Sequence, residues 1–407
     1  MGWGFTWLQM EKLMSDSKEV KEARLRAALS NKEGDQVPVS DFFWTGFMQK
    51  AQAKWGPNLD IYRKLDLDYI VINPNMDPVI QNFEIIEDDG VNIKLKTGFG
   101  ATIRRSGTAP MPHYDSFLVN EPEEMAKFVI ENARDKRRLY RAGDDQINGV
   151  GDAISRNIPS WTDRVDAYCR DFPVFGSVCE GYEYLWRCIG TVNSLMWMLT
   201  EPEMFGAFIK RIGDFCVELA EYQIEESRGR LSGMYIWGDV AYVNGMFFSP
   251  ACWREFFMPI VERIIKVCKK AGLMTIYHGC GNASSIYKDF VKIGLDGYNP
   301  LECKAHLDVV ELKKEYGGKL CFVGNIDIRE LESCDREKIK REVLYKLQSA
   351  AGGGWICQSD HSVSSGVSPE SYEYMVNLVR TYGKYPLDMD FIRRELNSLD
   401  MKFGKLN

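Results

Sequence analysis

The sequence predicts an α/β protein: a single (β/α)8 barrel over residues 1–407, with an N-terminal helical extension and a small antiparallel β insertion at 83–106. Three observations carry this. Eight short apolar runs read as core strands, near residues 37, 68, 173, 233, 273, 295, 320 and 354. From the third onward each is followed by a helical pattern, and the runs are continuously apolar, as buried parallel strands are. Strands alternating with helices at spacings of roughly 20 to 40 residues imply right-handed parallel crossovers. Eight such units argue for a barrel. A doubly wound open sheet would want a glycine-rich phosphate turn after an early strand, and none is present.

The elements follow in order. Residues 12–34 are charged and helical in pattern and read as a surface helix ahead of the core. Residues 37–43 are β-branched and aromatic, the first strand candidate. A helix is expected from Phe47 to Trp55, then a second strand over 67–73 ending in a turn-rich loop, Asn73 to Pro78. Over 83–106 apolar and polar residues alternate, and Asp88–Gly90 and Thr97–Gly98 supply turns, so this reads as an antiparallel meander. Residues 121–145 are charged and helical; 146–165 give no clear pattern.

Residues 172–178 form the third strand, with Pro173 near its start where a missing N–H costs least. A loop and a helix at 200–228 follow. The fourth strand, 233–239, leads to Ser249 and Pro250, an N-cap and a first-turn proline. The helix they open runs to Lys270, with Phe257, Ile260, Val261, Ile264, Ile265 and Cys268 at helical spacing, and Gly272 ends it. Strands at 273–277, 295–299, 320–324 and 354–358 alternate with helices at 284–293, 309–316 and 336–350. Ser368 and Pro369 open a last helix to Tyr382.

Composition narrows the function. Hydrophobic residues make up 45% and charged residues 27%, an ordinary soluble balance. The net charge of -7 argues against nucleic acid as the main partner. Residues 1–10 lack a basic region and a cleavage site, so no signal peptide is expected. No run of 18 apolar residues exists, so nothing is expected to span a membrane. The 11 cysteines are scattered through apolar runs and read as reduced thiols of a cytoplasmic protein.

In a barrel of this kind chemistry collects at the C-terminal strand ends. Those ends carry Glu180, Tyr182 and Glu183; Asp239, Tyr242 and Asn244; His278, Cys280 and Asn282; Asn299, Glu302 and Cys303; Asn325 and Asp327; and Gln358, Asp360 and His361. His278 and Cys280 are two apart, so in extended chain they face the same way, as two ligands of a soft or borderline cation need. A buried His beside a buried Cys is the plainer alternative. Only four histidines exist, and two of them, His278 and His361, stand at strand ends. That convergence favours a metal or acid–base site. A Ser-His-Asp triad at 360–362 is disfavoured, because adjacent residues point different ways. Asp239 reads either as a functional carboxylate or as a loop cap. His113 and His306 read as surface residues.

Taken together, Gly238–Asp239, Ser249–Pro250 through Phe256–Phe257, His278–Gly279–Cys280–Gly281–Asn282, Asn299 to Glu302, Phe322 to Asp327, and Gly352 to Ile356 with His361 beyond resemble the uroporphyrinogen decarboxylase superfamily. The likeness covers about 230–385 well and extends to its corrinoid-dependent, zinc-containing methyltransferases. The resemblance implies a (β/α)8 barrel. It also implies zinc on His278 and Cys280 with a further ligand after the eighth strand, where the methyltransferases have Cys and this chain has His361. Glu302 and Cys357 are substitutes for that position. The expected function is transfer of a methyl group between a small molecule, such as a methoxylated aromatic, and a corrinoid carried by a partner protein. Asp239, Glu180 and Tyr182 are the expected catalytic side chains, and Asn299, Asn325, Trp44 and Tyr242 the expected substrate contacts.

The alternative is a metal-free decarboxylase, with Asp77 at the place of that branch's essential Asp. Decarboxylases of the superfamily hold a polycarboxylate with arginines in the first strand's loop, through bidentate pairing. Here the loop from Asp41 to Trp55 is aromatic and holds no Arg. A non-catalytic ligand-binding barrel is the third reading.

Overall fold

The computed structural model describes residues 15–80, 84–106, 112–141 and 158–404. The expectation for residues 1–10 lies outside this range, as do the ends of those for 12–34, 83–106 and 121–145. The chain divides into two compact units: Met1–Ile70, Arg170–Pro173 and Gly297–Asn407 in the first, Val71–Cys169 and Val174–Asp296 in the second.

The fold is α/β, and among the described residues its parallel strands are seven in chain order. They are β1 (Ile70–Val71), β2 (Val174–Cys179), β3 (Leu231–Trp237), β4 (Met274–His278), β5 (Gly297–Asn299), β6 (Cys321–Val323) and β7 (Trp355–Ile356). In the second unit β2, β3 and β4 pair in parallel, with Val178 opposite Ile236 and Trp237 opposite His278. In the first unit β5, β6 and β7 do the same, with Tyr298 opposite Phe322 and Val323 opposite Ile356. Every residue of these six strands is buried. That is why the sequence shows continuous apolar runs here rather than alternation.

The expected first strand is not a ladder. Residues 37–43 are extended chain joined by single parallel bridges, Val39 to Cys357 and Phe43 to Val363. β1 is shorter than the expected 67–73 because Asn73 to Pro78 turns away early. In this turn Ser177 donates to Asn73 Oδ1 at 2.6 Å.

The helix Lys18–Leu29 corrects the expectation of a surface helix. One face, with Lys21, Arg24, Leu25, Ala28 and Leu29, is buried. Its charges are paired rather than solvated: Lys21 with Asp66, and Arg24 with Asp16, Asp35 and the buried Asp68. A charged residue can be buried once its partners are supplied, so polarity in the sequence did not imply exposure here.

Among the described residues of the stretch expected to be helical at 121–145, the helical segments are Pro122–Lys127, a 3-10 turn, and Arg137–Tyr140. Arg138 explains the rest. Its guanidinium collects the carbonyls of Asn75, Asp77, Glu131 and Asn132 at 2.7 to 3.2 Å, which fastens irregular chain in place. The loop expected after the third strand is instead two helices, Gly181–Ile189 and Thr191–Thr200, ahead of the long helix Pro202–Ser227.

The antiparallel insertion is a four-stranded sheet: Glu84–Asp88, Asn92–Lys96, Thr102–Ser106 and His113–Ser116. Its fourth strand lies beyond the expected boundary. Leu95, Ala101 and Ile103 form its small core. The expected caps are present: Ser249 accepts from the Cys252 N–H and Ser368 from the Ser371 N–H, each with proline next. A final helix, Met389–Phe403, was not foreseen. Among the described residues, no helix is long and apolar enough to cross a membrane.

Candidate metal centre

The site is built where β3 and β4 end side by side. Gly238 N–H donates to His278 O at 2.8 Å, which continues the ladder one residue past β3. A Cβ at Gly238 would fall 2.1 Å from the Tyr277 hydroxyl and 2.4 Å from Glu180 Cγ, so only glycine fits. Beyond β4 the chain turns at Gly281, whose φ of +75° suits glycine and whose Cβ would meet Tyr242 O at 2.6 Å. Asn282 N–H then donates to that same Tyr242 carbonyl at 2.9 Å. The two strand-end loops are thereby held against one another.

This arrangement gathers three ligand-bearing side chains. The donor atoms of Asp239, His278 and Cys280 all lie within 4.8 Å of one another. Cys280 Sγ is 3.4 Å from His278 Nε2, and that nitrogen is 3.9 Å from Asp239 Oδ1. Asp239 Oδ1 also accepts the Cys280 backbone N–H at 2.8 Å. His278 is nearly buried, with its ring edge-on to Trp237 at 4.8 Å between centroids. Asp239 and Cys280 are half-buried. One nitrogen, one sulfur and one carboxylate oxygen are a donor set that suits zinc with a position left open.

Buried carboxyls stand behind this group. Glu180 Oε1 caps the helix Gly181–Ile189 by accepting the Glu183 N–H at 2.9 Å, while Oε2 has no partner among the described residues. Burial pushes the Glu180 pKa up to about 8; the negative charges of Glu183 and Asp239 add to this, and backbone N–H donors oppose it. Glu183 is also raised, by burial, against the pull of Arg187. Arg187 Nη2 lies 2.6 Å from Glu183 Oε1, and Glu183 Oε2 accepts the Asp239 N–H at 3.4 Å. Tyr182 is buried with its ring against Phe248 at 4.9 Å, and burial raises its phenol to about 12. Tyr242 is exposed on a hairpin and stacks on Phe247 at 5.7 Å.

The other expected residues belong to the first unit. Asn299 is buried and donates to Val323 O at 3.0 Å. The Asn325 amide donates to Leu301 O and Leu307 O at 2.7 and 2.8 Å, lies 3.4 Å from Cys303 Sγ and accepts the Val309 N–H at 2.8 Å. These contacts hold the loops around it. Glu302 is buried, 3.6 Å from the Lys304 ammonium. Cys357 is fully buried with its sulfur 3.7 Å from Met375 Sδ. His361 is half-buried and its ring meets Trp44 edge-on at 6.1 Å. Trp44 is exposed at the start of the helix Thr45–Trp55.

Sequence reasoning listed Glu183 among strand-end residues without a role, and did not single out Arg187. Their signal was an acid and an arginine four apart on an otherwise apolar helix.

Residues 152–382 match the family model described as Uroporphyrinogen decarboxylase (URO-D). A comparison with curated protein sequences returned no match. Among solved structures, the chain resembles a methyltransferase from Methanosarcina mazei at a TM-score of 0.63 and 16% identity, over 89% of this chain and 98% of that one. A B12-independent methionine synthase from Shewanella sp. W3-18-1 is far more distant, at a TM-score of 0.35 and 14% identity over 60% of this chain and 70% of that one. The family match spans more than half of the chain and takes in β2 to β7 with Asp239, His278 and Cys280, so the protein belongs to the uroporphyrinogen decarboxylase family.

Proposed function

We propose that the protein is a methyltransferase that moves a methyl group between a small substrate, such as a methoxylated aromatic, and a corrinoid carried by a partner protein. The observation that carries this reading is the grouping of Asp239, His278 and Cys280 on the fold of this family. The structural likeness to a protein described as a methyltransferase supports the same branch.

His278 Nε2 and Cys280 Sγ would hold zinc, with Asp239 as a third donor; Glu302 and His361 are the further ligands the sequence suggests. Bound zinc would act as a Lewis acid that polarises a thiol or ether oxygen, and the corrinoid would supply the cobalt that exchanges the methyl group. The chain's own residues do the rest. Asp239 fixes the Cys280 backbone through its N–H. Glu180, with its raised pKa, keeps a proton at neutral pH and can donate a hydrogen bond to substrate. Tyr182, its phenol raised by burial, packs against Phe247 and Phe248 and is the remaining catalytic side chain of this reading. Trp44 and Tyr242, both exposed aromatics, together with the buried Asn299 and Asn325, are the proposed substrate contacts. The 11 free cysteines fit a reducing, cytoplasmic setting.

Metal analysis after dialysis, followed by assay with a methyl donor and a reduced corrinoid protein, tests this. About one zinc per chain is expected, lost in Cys280→Ala together with turnover. A native protein that is metal-free and fully active would overturn it. Turnover of a porphyrinogen without metal or corrinoid would establish the decarboxylase reading instead.

A further inference from the structure

We infer that Glu183, clamped by Arg187, is the positioning residue that sets the shape of the metal centre. This rests on the zinc reading above and extends it to residues that touch no ligand atom.

The two loops that carry Asp239 and Cys280 have no regular structure of their own at the site. Beside the backbone contact of the Asn282 N–H with Tyr242 O, they are tied by a side chain, with the Cys280 N–H donating to Asp239 Oδ1 at 2.8 Å. Asp239 is tied in turn through its own N–H, which donates to Glu183 Oε2 at 3.4 Å. Glu183 therefore stands at the root of a chain that runs Glu183, Asp239, Cys280. It is firmly held at that root. Its side chain and that of Arg187 are only 6% and 4% exposed, and the two pair at 2.6 Å on successive turns of Gly181–Ile189. Trp186 Nε1 also donates to Glu183 Oε2, at 3.3 Å. The Arg187 guanidinium is itself fixed, lying over the rings of Trp186 at 4.8 Å and Phe99 at 5.4 Å.

A buried ion pair is a costly way to stabilise a fold, since packed apolar residues of similar volume serve as well or better. A charge-assisted, geometrically fixed acceptor is what an outer group needs when it must orient a metal ligand. The burial, the clamp and the contact with Asp239 all point to that use.

The test is cobalt(II) titration of the metal-free full-length protein, read by the visible d–d bands and the thiolate-to-cobalt charge-transfer band. Far-UV circular dichroism run alongside monitors the fold. Glu183→Ala should weaken cobalt binding about 10- to 100-fold and alter the charge-transfer band, as the Cys280 loop is released. Glu183→Gln keeps an oxygen for the Asp239 N–H and should recover most of the affinity and the native band. A Glu183→Ala protein with native affinity and spectrum overturns the inference, as does a folded Glu183→Gln protein that binds no better than the alanine variant. Absence of cobalt binding by the wild-type chain would instead sink the zinc reading itself, and this inference with it.

Discussion

The Asp239 carboxylate accepts the backbone N–H of Cys280 at 2.8 Å, across 41 residues of sequence. The same oxygen is 3.9 Å from His278 Nε2. One side chain thus ties the Cys280 loop and faces the His278 ring nitrogen.

Asp239 can be tested for each part. Asp239→Ala removes the donor and the tie, and should lower zinc affinity at least about ten-fold. Asp239→Asn keeps an oxygen for the Cys280 N–H and should fall between the two. Competition against a chromophoric chelator measures both. Affinity unchanged in the alanine variant would reduce Asp239 to a loop cap.

Asp41 predicts a pH dependence of stability. Its carboxyl is fully buried and accepts the Ser359 N–H at 2.9 Å and the Ser359 hydroxyl at 2.7 Å. Burial, opposed by these hydrogen bonds, pushes its pKa from 3.8 up to about 7. Between those values the folded chain keeps a proton that the unfolded chain releases. Its contribution is therefore fully present below about pH 4 and is lost as pH rises through about 7. Each unit by which the two values differ is worth about 1.4 kcal/mol. Glu342, also buried and raised to about 7, acts with the same sign. Urea unfolding between pH 4 and 8 should show stability falling with pH, and Asp41→Asn should flatten part of that slope. A slope unchanged in Asp41→Asn would mean that the carboxyl is ionised in the folded chain.

Asn325 separates a structural role from a substrate role. Its backbone has φ +77°, which Asn tolerates better than most residues. Its amide serves two carbonyls and one N–H. Asn325→Ala should destabilise the fold by about 1–3 kcal/mol for each buried group left unpaired. Denaturant midpoints measure this. A raised KM at unchanged stability would assign Asn325 to the substrate instead.

Local chemistry made much of the fold legible in the sequence. The buried parallel strands announced themselves as unbroken apolar runs, and Ser249–Pro250 and Ser368–Pro369 opened the helices they were expected to open. His278 and Cys280, two positions apart, bring Nε2 and Sγ to 3.4 Å, in keeping with side chains that point the same way. The weaker readings fell where long-range partners override local pattern. Arg138 holds irregular chain at a stretch whose charge suggested helix, and Arg24 enters the core because acids from three other places meet it.

The sequence by itself determined the order of strands and helices, the caps and the His278–Cys280 pair, because each depends on contacts within a few residues. Only the tertiary structure decided that Asp239 joins that pair, that Glu183 and Arg187 stand behind Asp239, and that the Asn325 amide ties the loop from Leu301 to Val309. The Asp239 N–H meets Glu183 across 56 residues, and the Asn325 amide meets Leu301 O across 24. Hydrogen bonds of that reach have no periodicity and leave no local trace; they exist only once the strands are packed in register.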